Sequence, residues 1–82
     1  MERFYYYVMA SGPCWEVRSS GQFDLQLHET QQLACLAAAT AARRKFAQSG
    51  ILTGVRIQAV DHSWRQLDLL ESGELREQPI SI

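Results

Sequence analysis

Hydrophobic and polar side chains alternate along the first third of the chain, as they do on half-buried β-strands. The alternation covers residues 3–10, 14–18 and 23–28, and glycine, proline and serine lie between these runs. In the first run two sets of side chains fall on opposite faces: Phe4, Tyr6 and Val8 against Tyr5, Tyr7 and Met9. The third run alternates in the same way through Phe23, Leu25 and Leu27. The pattern predicts a three-stranded antiparallel meander with one face on a core.

An alanine-rich segment with a helical period follows the three strands. Thr30 is suited to be its N-cap, because a threonine hydroxyl accepts a hydrogen bond from a backbone amide of the first turn, and Gly50 is suited to end it. Steps of about 100° per residue separate two arcs. We assign one arc to the sheet: Ala34, Cys35, Ala38, Ala39, Ala41, Ala42 and Phe46. Leu33 and Leu36 fall on the opposite arc, where we expect them to be exposed.

A period of two returns after Gly54 and predicts a β-hairpin with its turn at residues 61–63. Val55 and Ile57 face one way on its first strand, and Leu67 and Leu69 face the core from its second, at residues 64–70. Residues 71–82 are polar apart from three side chains, and we expect a short strand or a loose tail there. The order of elements predicts an α+β fold, with a single domain at residues 1–70 in which one helix packs on an antiparallel sheet.

Composition narrows the class of protein. The chain has 82 residues, of which 46% are hydrophobic and 21% charged, and its net charge is −1. These values fit one small folded domain and disfavour both a disordered chain and a strongly basic nucleic-acid binder. Neither a secretion signal nor a run of about 18 apolar residues is recognisable in the sequence. With only two cysteines, this indicates a cytoplasmic protein without a membrane partner.

Soft or borderline metal ligands are few and scattered along the sequence: Cys14, His28, Cys35 and His62. Structural zinc sites normally contain a pair of ligands separated by roughly two to four residues, and no such pair is present. Cys35 falls on the arc assigned to the core, where burial raises the pKa of a thiol and disfavours nucleophilic catalysis. We therefore expect no catalytic residues, no metal and no cofactor.

Surplus apolar surface is the feature that points most directly to a function. One helix covers only one side of a sheet, so the outward leucines of the helix and the rings on the second sheet face need another cover. We expect a protein-interaction module that forms a homodimer, with cations at the rim of the contact. The predicted contact residues are Tyr5, Tyr7, Leu33, Leu36, Arg43, Arg44 and Trp64.

A basic cluster near the end of the helix supports an alternative function. Arg43, Arg44 and Lys45, together with Arg56 and the aromatic rings, resemble a charged track with stacking platforms for single-stranded nucleic acid. A structural explanation competes with this hypothesis, since cations in the last turns of a helix interact favourably with its negative end. Nucleic-acid binding is therefore the second hypothesis.

Two further sets of residues resemble known families. The segment at residues 56–64, through Arg56, Ile57, Val60 and Trp64, resembles small phage-encoded type I anti-CRISPR proteins. Residues 15–17, with Thr30, Ala34 and Ala38, resemble a small bacterial domain family of unassigned function. The first resemblance implies a stoichiometric inhibitor that docks on a larger nucleoprotein complex, such as a CRISPR surveillance complex, often in its DNA path.

Overall fold

A computed structural model describes residues 3–19 and 26–78, which form one helix and six strands. The elements are β1 (Phe4–Ser11), β2 (Cys14–Ser19), β3 (Gln26–His28), α1 (Gln31–Ser49), β4 (Thr53–Gln58), β5 (Trp64–Leu69) and β6 (Leu75–Gln78). The α+β class is confirmed. The predicted strand positions Phe23 and Leu25 lie outside the described residues, as do Ile80 and Ile82, two of the three apolar side chains in 71–82. Within 71–82, the described residues include a short strand, β6.

The six strands form one sheet in the order β3-β2-β1-β4-β5-β6. All neighbouring pairs are antiparallel except β1 and β4, which are parallel from Phe4 opposite Thr53 to Val8 opposite Ile57. The prediction of a purely antiparallel sheet is therefore wrong at its centre. α1 causes the difference, because its 19 residues rise about 28 Å and return the chain to the end of the sheet where β1 begins.

Both predicted ends of α1 are confirmed. The Thr30 hydroxyl accepts a hydrogen bond from the amide of Leu33 at 3.1 Å. Gly50 adopts the left-handed conformation with φ 71°, which favours glycine, and its amide donates to the carbonyl of Phe46 at 2.8 Å. α1 ends at Ser49, and its last turn contains no basic residue. Arg43, Arg44 and Lys45 lie one turn before it, where the interaction of a cation with the negative helix end is weaker.

The core lies between α1 and the centre of the sheet. It is built from small aliphatic side chains: Val8, Val17, Ala34, Ala38, Ala42, Val55 and Ile57. Alanines on α1 allow its backbone to approach the sheet closely, which fits the arc predicted from the sequence. The hydroxyl of buried Thr53 donates to the carbonyl of Ala42 at 3.1 Å, so this polar group is satisfied inside the core.

The β4–β5 hairpin is confirmed, and its turn is held by local hydrogen bonds. The amide and the hydroxyl of Ser63 both donate to Asp61 Oδ1, at 3.0 and 2.6 Å. These bonds, led by the one from the hydroxyl, hold the pKa of the Asp61 carboxyl below its usual value. His62 takes a left-handed conformation with φ 69°. Residues 61–63 therefore serve the turn, as their types predict.

Candidate functional site

The strand register divides the side chains of the sheet between two faces, and α1 packs on one of them. We call the other the open face, because no described element packs over it. Its central strands carry aromatic rings, one methionine and several polar or charged side chains: Tyr5, Tyr7, Met9, Arg56, Gln58, Trp64, Gln66 and Asp68. The open face is thus a surface made by β-strands alone.

Three aromatic rings line the centre of the open face. The rings of Tyr5 and Tyr7 are 6.5 Å apart, and those of Tyr7 and Trp64 are 6.4 Å apart and nearly perpendicular. The Tyr5 ring lies against Gly54, where a Cβ atom would meet Tyr5 Cε1 at 2.8 Å. The Arg56 guanidinium lies 4.2 Å from the centroid of the same ring. Tyr5 is therefore held in place by β4 and positions the row of rings.

A row of polar side chains runs beside the rings. Arg56 Nε donates to Gln66 Oε1 at 3.1 Å, and Gln66 Nε2 donates to Asp68 Oδ1 at 3.2 Å. Asp68 Oδ1 also lies 3.6 Å from Arg3 Nε, and Arg3 donates to the carbonyls of Thr53 and Leu69. Because each group holds the next, the guanidinium of Arg56 is oriented before any ligand arrives.

The open face is more positive than the rest of the described chain. It carries four arginines and two carboxylates: Arg3, Arg18, Arg56, Arg76, Glu16 and Asp68. The Glu16 carboxylate pairs with Arg18 at 3.2 Å. The other described residues contain four cations and five carboxylates. The open face therefore has a local excess of positive charge that the net charge of the chain conceals.

A second surface lies on the helix side, over β5 and β6. α1 contacts β1 to β4 and leaves these two strands partly uncovered. The result is a groove of ≈ 270 Å³, lined by Cys35, Leu36, Ala39, Ile57, Leu67 and Leu75 among others. We call it the apolar groove. Leu36, which is 59% exposed, lies on its α1 wall, and Leu33, which is 48% exposed, lies one turn earlier on α1.

Polar contacts occur at both ends of the apolar groove. Arg43 also lines the groove, and its Nε donates to the carbonyl of Gly73 at 3.1 Å. Arg65 forms a salt bridge with Glu77, and Arg65 Nε donates to Glu77 Oε1 at 3.1 Å. Burial raises the pKa of the Cys35 thiol, and the charge of Arg65 opposes this in part. The thiol is therefore protonated at neutral pH, which does not favour a nucleophile.

The predicted contact residues lie on two surfaces rather than one. Leu36 and Arg43 line the apolar groove, and Leu33 and Arg44 lie on the same side of the molecule. Tyr5, Tyr7 and Trp64 lie on the open face, behind the sheet. The exposure of Leu33 and Leu36 is as predicted, but a single partner surface cannot contact both sets.

The predicted basic track is divided in the same way. Lys45 lies over the ring of Phe4, 4.3 Å from its centroid, and Arg43 is bonded to Gly73. Both lie on the helix side of the sheet, as does Arg44, whereas Arg56 lies on the open face. The triplet and Arg56 therefore do not form one path for a nucleic-acid strand.

Residues outside the predicted contact set complete both surfaces. Leu67 and Leu75 form the floor of the apolar groove, and Gln66 and Asp68 orient Arg56 on the open face. The alternating pattern of β5 in the sequence already indicates that Leu67 faces one side of the sheet and that Gln66 and Asp68 face the other. Local sequence patterns do not reveal that α1 leaves β5 and β6 partly uncovered.

The candidate metal and nucleophile residues do not come together. Trp15 pairs with His28 across β2 and β3, so Cys14 and His28 face opposite sides of the sheet, and Cys35 lies on the far side of α1 from β3. Within residues 3–19 and 26–78, no three histidine, cysteine or acidic side chains are grouped as metal ligands. Asp24 and Asp61 are the carboxylates that could orient a histidine for catalysis; Asp61 is bonded to Ser63 in the β4–β5 turn, and Asp24 lies outside the described residues.

The described part of the chain contains no helix with the length and hydropathy needed to cross a membrane. Comparison with known proteins gives no match to a family model, a curated protein or a solved structure. The two surfaces themselves are therefore the basis for assigning a function.

Proposed function

We propose that the protein is a small, non-catalytic interaction module that forms a homodimer through the apolar groove. The observation that carries the proposal is the position of the groove beside the exposed leucines of α1. Each chain thus has an apolar groove and also exposed apolar side chains that can fill the groove of a second copy. Such a self-complementary patch is what a twofold interface requires.

The dimensions of the sheet favour a helix as the occupant of the groove. Six strands spaced about 4.8 Å apart are about 24 Å wide, whereas a helix is about 10–12 Å in diameter. α1 therefore leaves room over β5 and β6 for one further helix. The groove follows α1 from Gln32 to Arg43, a rise of about 16 Å, which is long enough for several turns of a partner helix.

A second copy of α1 supplies that helix with the correct face. Its alanines face its own sheet, so Leu33 and Leu36 point away from that sheet and towards Leu67 and Leu75 of the other protomer. The assembly has three layers: a sheet, a pair of helices and a second sheet. Both open faces remain on the outside of the dimer.

Two exposed leucines provide a matched test. Leu36 lines the groove and is 59% exposed, while Leu27 lies on β3, on the open face, and is 58% exposed. We expect sedimentation to show a monomer–dimer equilibrium in the micromolar range. Leu36→Asp should be monomeric throughout, and Leu27→Asp should dimerise like the unsubstituted protein. A monomer at all concentrations, or equal loss in both variants, would contradict the proposal; circular dichroism verifies folding.

The two cysteines report on the same interface. Cys35 lines the groove and Cys14 lies on the open face. We expect alkylation of Cys35 to slow as protein concentration rises, while Cys14 reacts at a constant rate. The reaction is run above neutral pH because burial raises the pKa of the Cys35 thiol. Slowing at Cys14 alone would place the interface on the open face and overturn the proposal.

Inhibition of a larger nucleoprotein complex is the specific form of this function that the anti-CRISPR resemblance implies. The outward open faces support it, since they leave each protomer of the dimer a surface for a further partner. No described contact identifies that complex, so the specific form stays a prediction.

A further inference from the structure

We propose that the open face binds single-stranded nucleic acid, with bases stacked on Tyr7 and Trp64 and the phosphate backbone beside Arg56. This function is independent of the dimer and uses a different side of the sheet. It also replaces the basic track predicted from the sequence, because the arginines that matter are those of the strands and not those of α1.

The spacing of the rings is the first argument. Consecutive rings of the row are 6.4–6.5 Å apart, about twice the roughly 3.4 Å separation of bases stacked directly on one another. Because the rings of Tyr7 and Trp64 are also nearly perpendicular, they suit bases that are splayed, each on its own ring, and do not suit a continuous duplex stack. Aromatic side chains on the central strands of a sheet bind two or three bases in this manner.

The orientation of Arg56 is the second argument. Its guanidinium is stacked on Tyr5 and anchored through Nε to Gln66, so its position is fixed while the terminal nitrogens keep further donors. A stacked arginine beside aromatic rings matches a phosphate that joins two stacked bases. Asp68 and Arg3 hold Gln66 in turn, which makes the site preorganised.

Charge is the third argument and selects the occupant. The open face has four arginines against two carboxylates, while the other described residues have a small acidic excess. The excess of positive charge on the open face favours a polyanion as its ligand. A second copy of the same face would bring like charges together, so it is disfavoured as the occupant.

Fluorescence anisotropy tests the proposal with labelled oligodeoxythymidine and oligouridine of about ten nucleotides, within the usual site size. We expect binding at low salt that weakens as salt increases. Tyr7→Ala should weaken binding about 5- to 100-fold, while Tyr7→Phe should retain it because the stacking ring remains. Quenching of tryptophan fluorescence by the oligonucleotide should be lost in Trp64→Phe, since Trp15 lies on the covered face.

A pair of arginine substitutions separates the open face from α1. Arg56→Gln should weaken binding about 3- to 10-fold and reduce the salt slope by about one. Arg44→Gln removes an exposed charge from α1 and should leave affinity unchanged. Equal losses in the two variants, or no binding at low salt by the folded protein, would overturn the proposal.

The proposal of a dimer and the proposal of a nucleic-acid site can be contradicted independently of each other. Leu36→Asp should be monomeric and should still bind the oligonucleotide, since the groove lies on the other side of the sheet. If Tyr7→Ala instead abolishes dimerisation, the open face is a protein contact and the nucleic-acid proposal is wrong. Loss of binding with Leu36→Asp alone would contradict the independence of the two surfaces.

Discussion

The two faces of the sheet come from the same strands, yet α1 packs on one of them and no described element packs on the other. On the covered face the largest fully buried side chains are Val8, Thr53 and Val55. On the open face, alternate residues of the same strands include two tyrosine rings and an arginine. The covered face also carries large rings, Phe4, Tyr6 and Trp15, but these are only partly buried. The comparison teaches that close approach of an alanine-rich helix leaves room only for small side chains at the fully buried positions.

The covered face is itself uneven. Under α1, Val8 of β1 and Thr53, Val55 and Ile57 of β4 are buried, whereas Leu67 and Leu75, beyond the helix, are only partly buried. The difference follows from the width of one helix and leaves the apolar groove. Stability is thus concentrated at the sheet centre, and both proposed binding surfaces lie outside that core.

The largest expected effect comes from one charge placed on either face of β1. Val8 is fully buried under α1, and its neighbour Met9 lies on the open face. A buried, unpaired carboxylate costs several kcal/mol, a large part of the roughly 4–12 kcal/mol expected for a domain of this size. We expect Val8→Asp to unfold the protein and Met9→Asp to lose about 1 kcal/mol or less, measured by urea denaturation. Similar losses in both variants would remove the distinction between the faces.

A smaller effect is expected at the contact between Tyr5 and β4. A methyl group on Gly54 would meet Tyr5 Cε1 at 2.8 Å and the carbonyl oxygen of Leu67 at 3.0 Å. We expect Gly54→Ala to lower the free energy of unfolding by about 1–3 kcal/mol, as overpacking does. In a Tyr5→Ala background the same substitution should cost less, because the closer contact is gone. Equal costs in both backgrounds would show that the ring does not press on Gly54.

The capping bond of α1 contributes less. Thr30→Ala removes the acceptor for the amide of Leu33 and should lower the free energy of unfolding by about 1 kcal/mol. Thr40→Ala is the matched control, because Thr40 is exposed within α1, where alanine has the higher helix propensity. We expect no loss, or a gain of a few tenths of a kcal/mol, in that variant. Loss in Thr40→Ala equal to that in Thr30→Ala would argue against the cap.

The smallest effect at neutral pH concerns the tyrosine on the covered face. Burial raises the pKa of Tyr6, so folding favours its neutral form. This stability is complete below the unfolded pKa of about 10 and is lost as pH rises through the higher folded value. As pH increases, we expect part of the rise in tyrosinate absorbance to occur at higher pH than for an exposed tyrosine. Tyr6→Phe should remove that part. An unchanged titration in that variant would contradict the assignment.

Local patterns predicted the elements of the fold but not the way in which they join. The alternation of β1, the Thr30 cap and the Asp61–Ser63 turn each depend on neighbouring residues, and each is confirmed. The parallel pairing of Phe4 with Thr53 depends on where α1 returns the chain, which alternation does not encode. The antiparallel prediction was wrong for that reason.

The candidate surfaces were predicted in part for the same physical reason. Exposure of Leu33 and Leu36 follows from the helical period, and the side of Tyr5 and Tyr7 follows from the strand period. Local sequence does not show that Lys45 reaches Phe4 or that Arg43 reaches Gly73, because these contacts join distant segments. The separation of one predicted contact set into two surfaces could therefore be found only in three dimensions.

The parallel pairing of β1 and β4 has a consequence for how the chain folds. The β1–β2 and β4–β5 hairpins close over a few residues, whereas Phe4 and Thr53 are 49 positions apart. Chain entropy therefore delays the central seam until α1 brings the two halves together. We therefore expect substitutions along that seam to alter chiefly the folding rate, and substitutions in the outer strands to alter chiefly the lifetime of the native state.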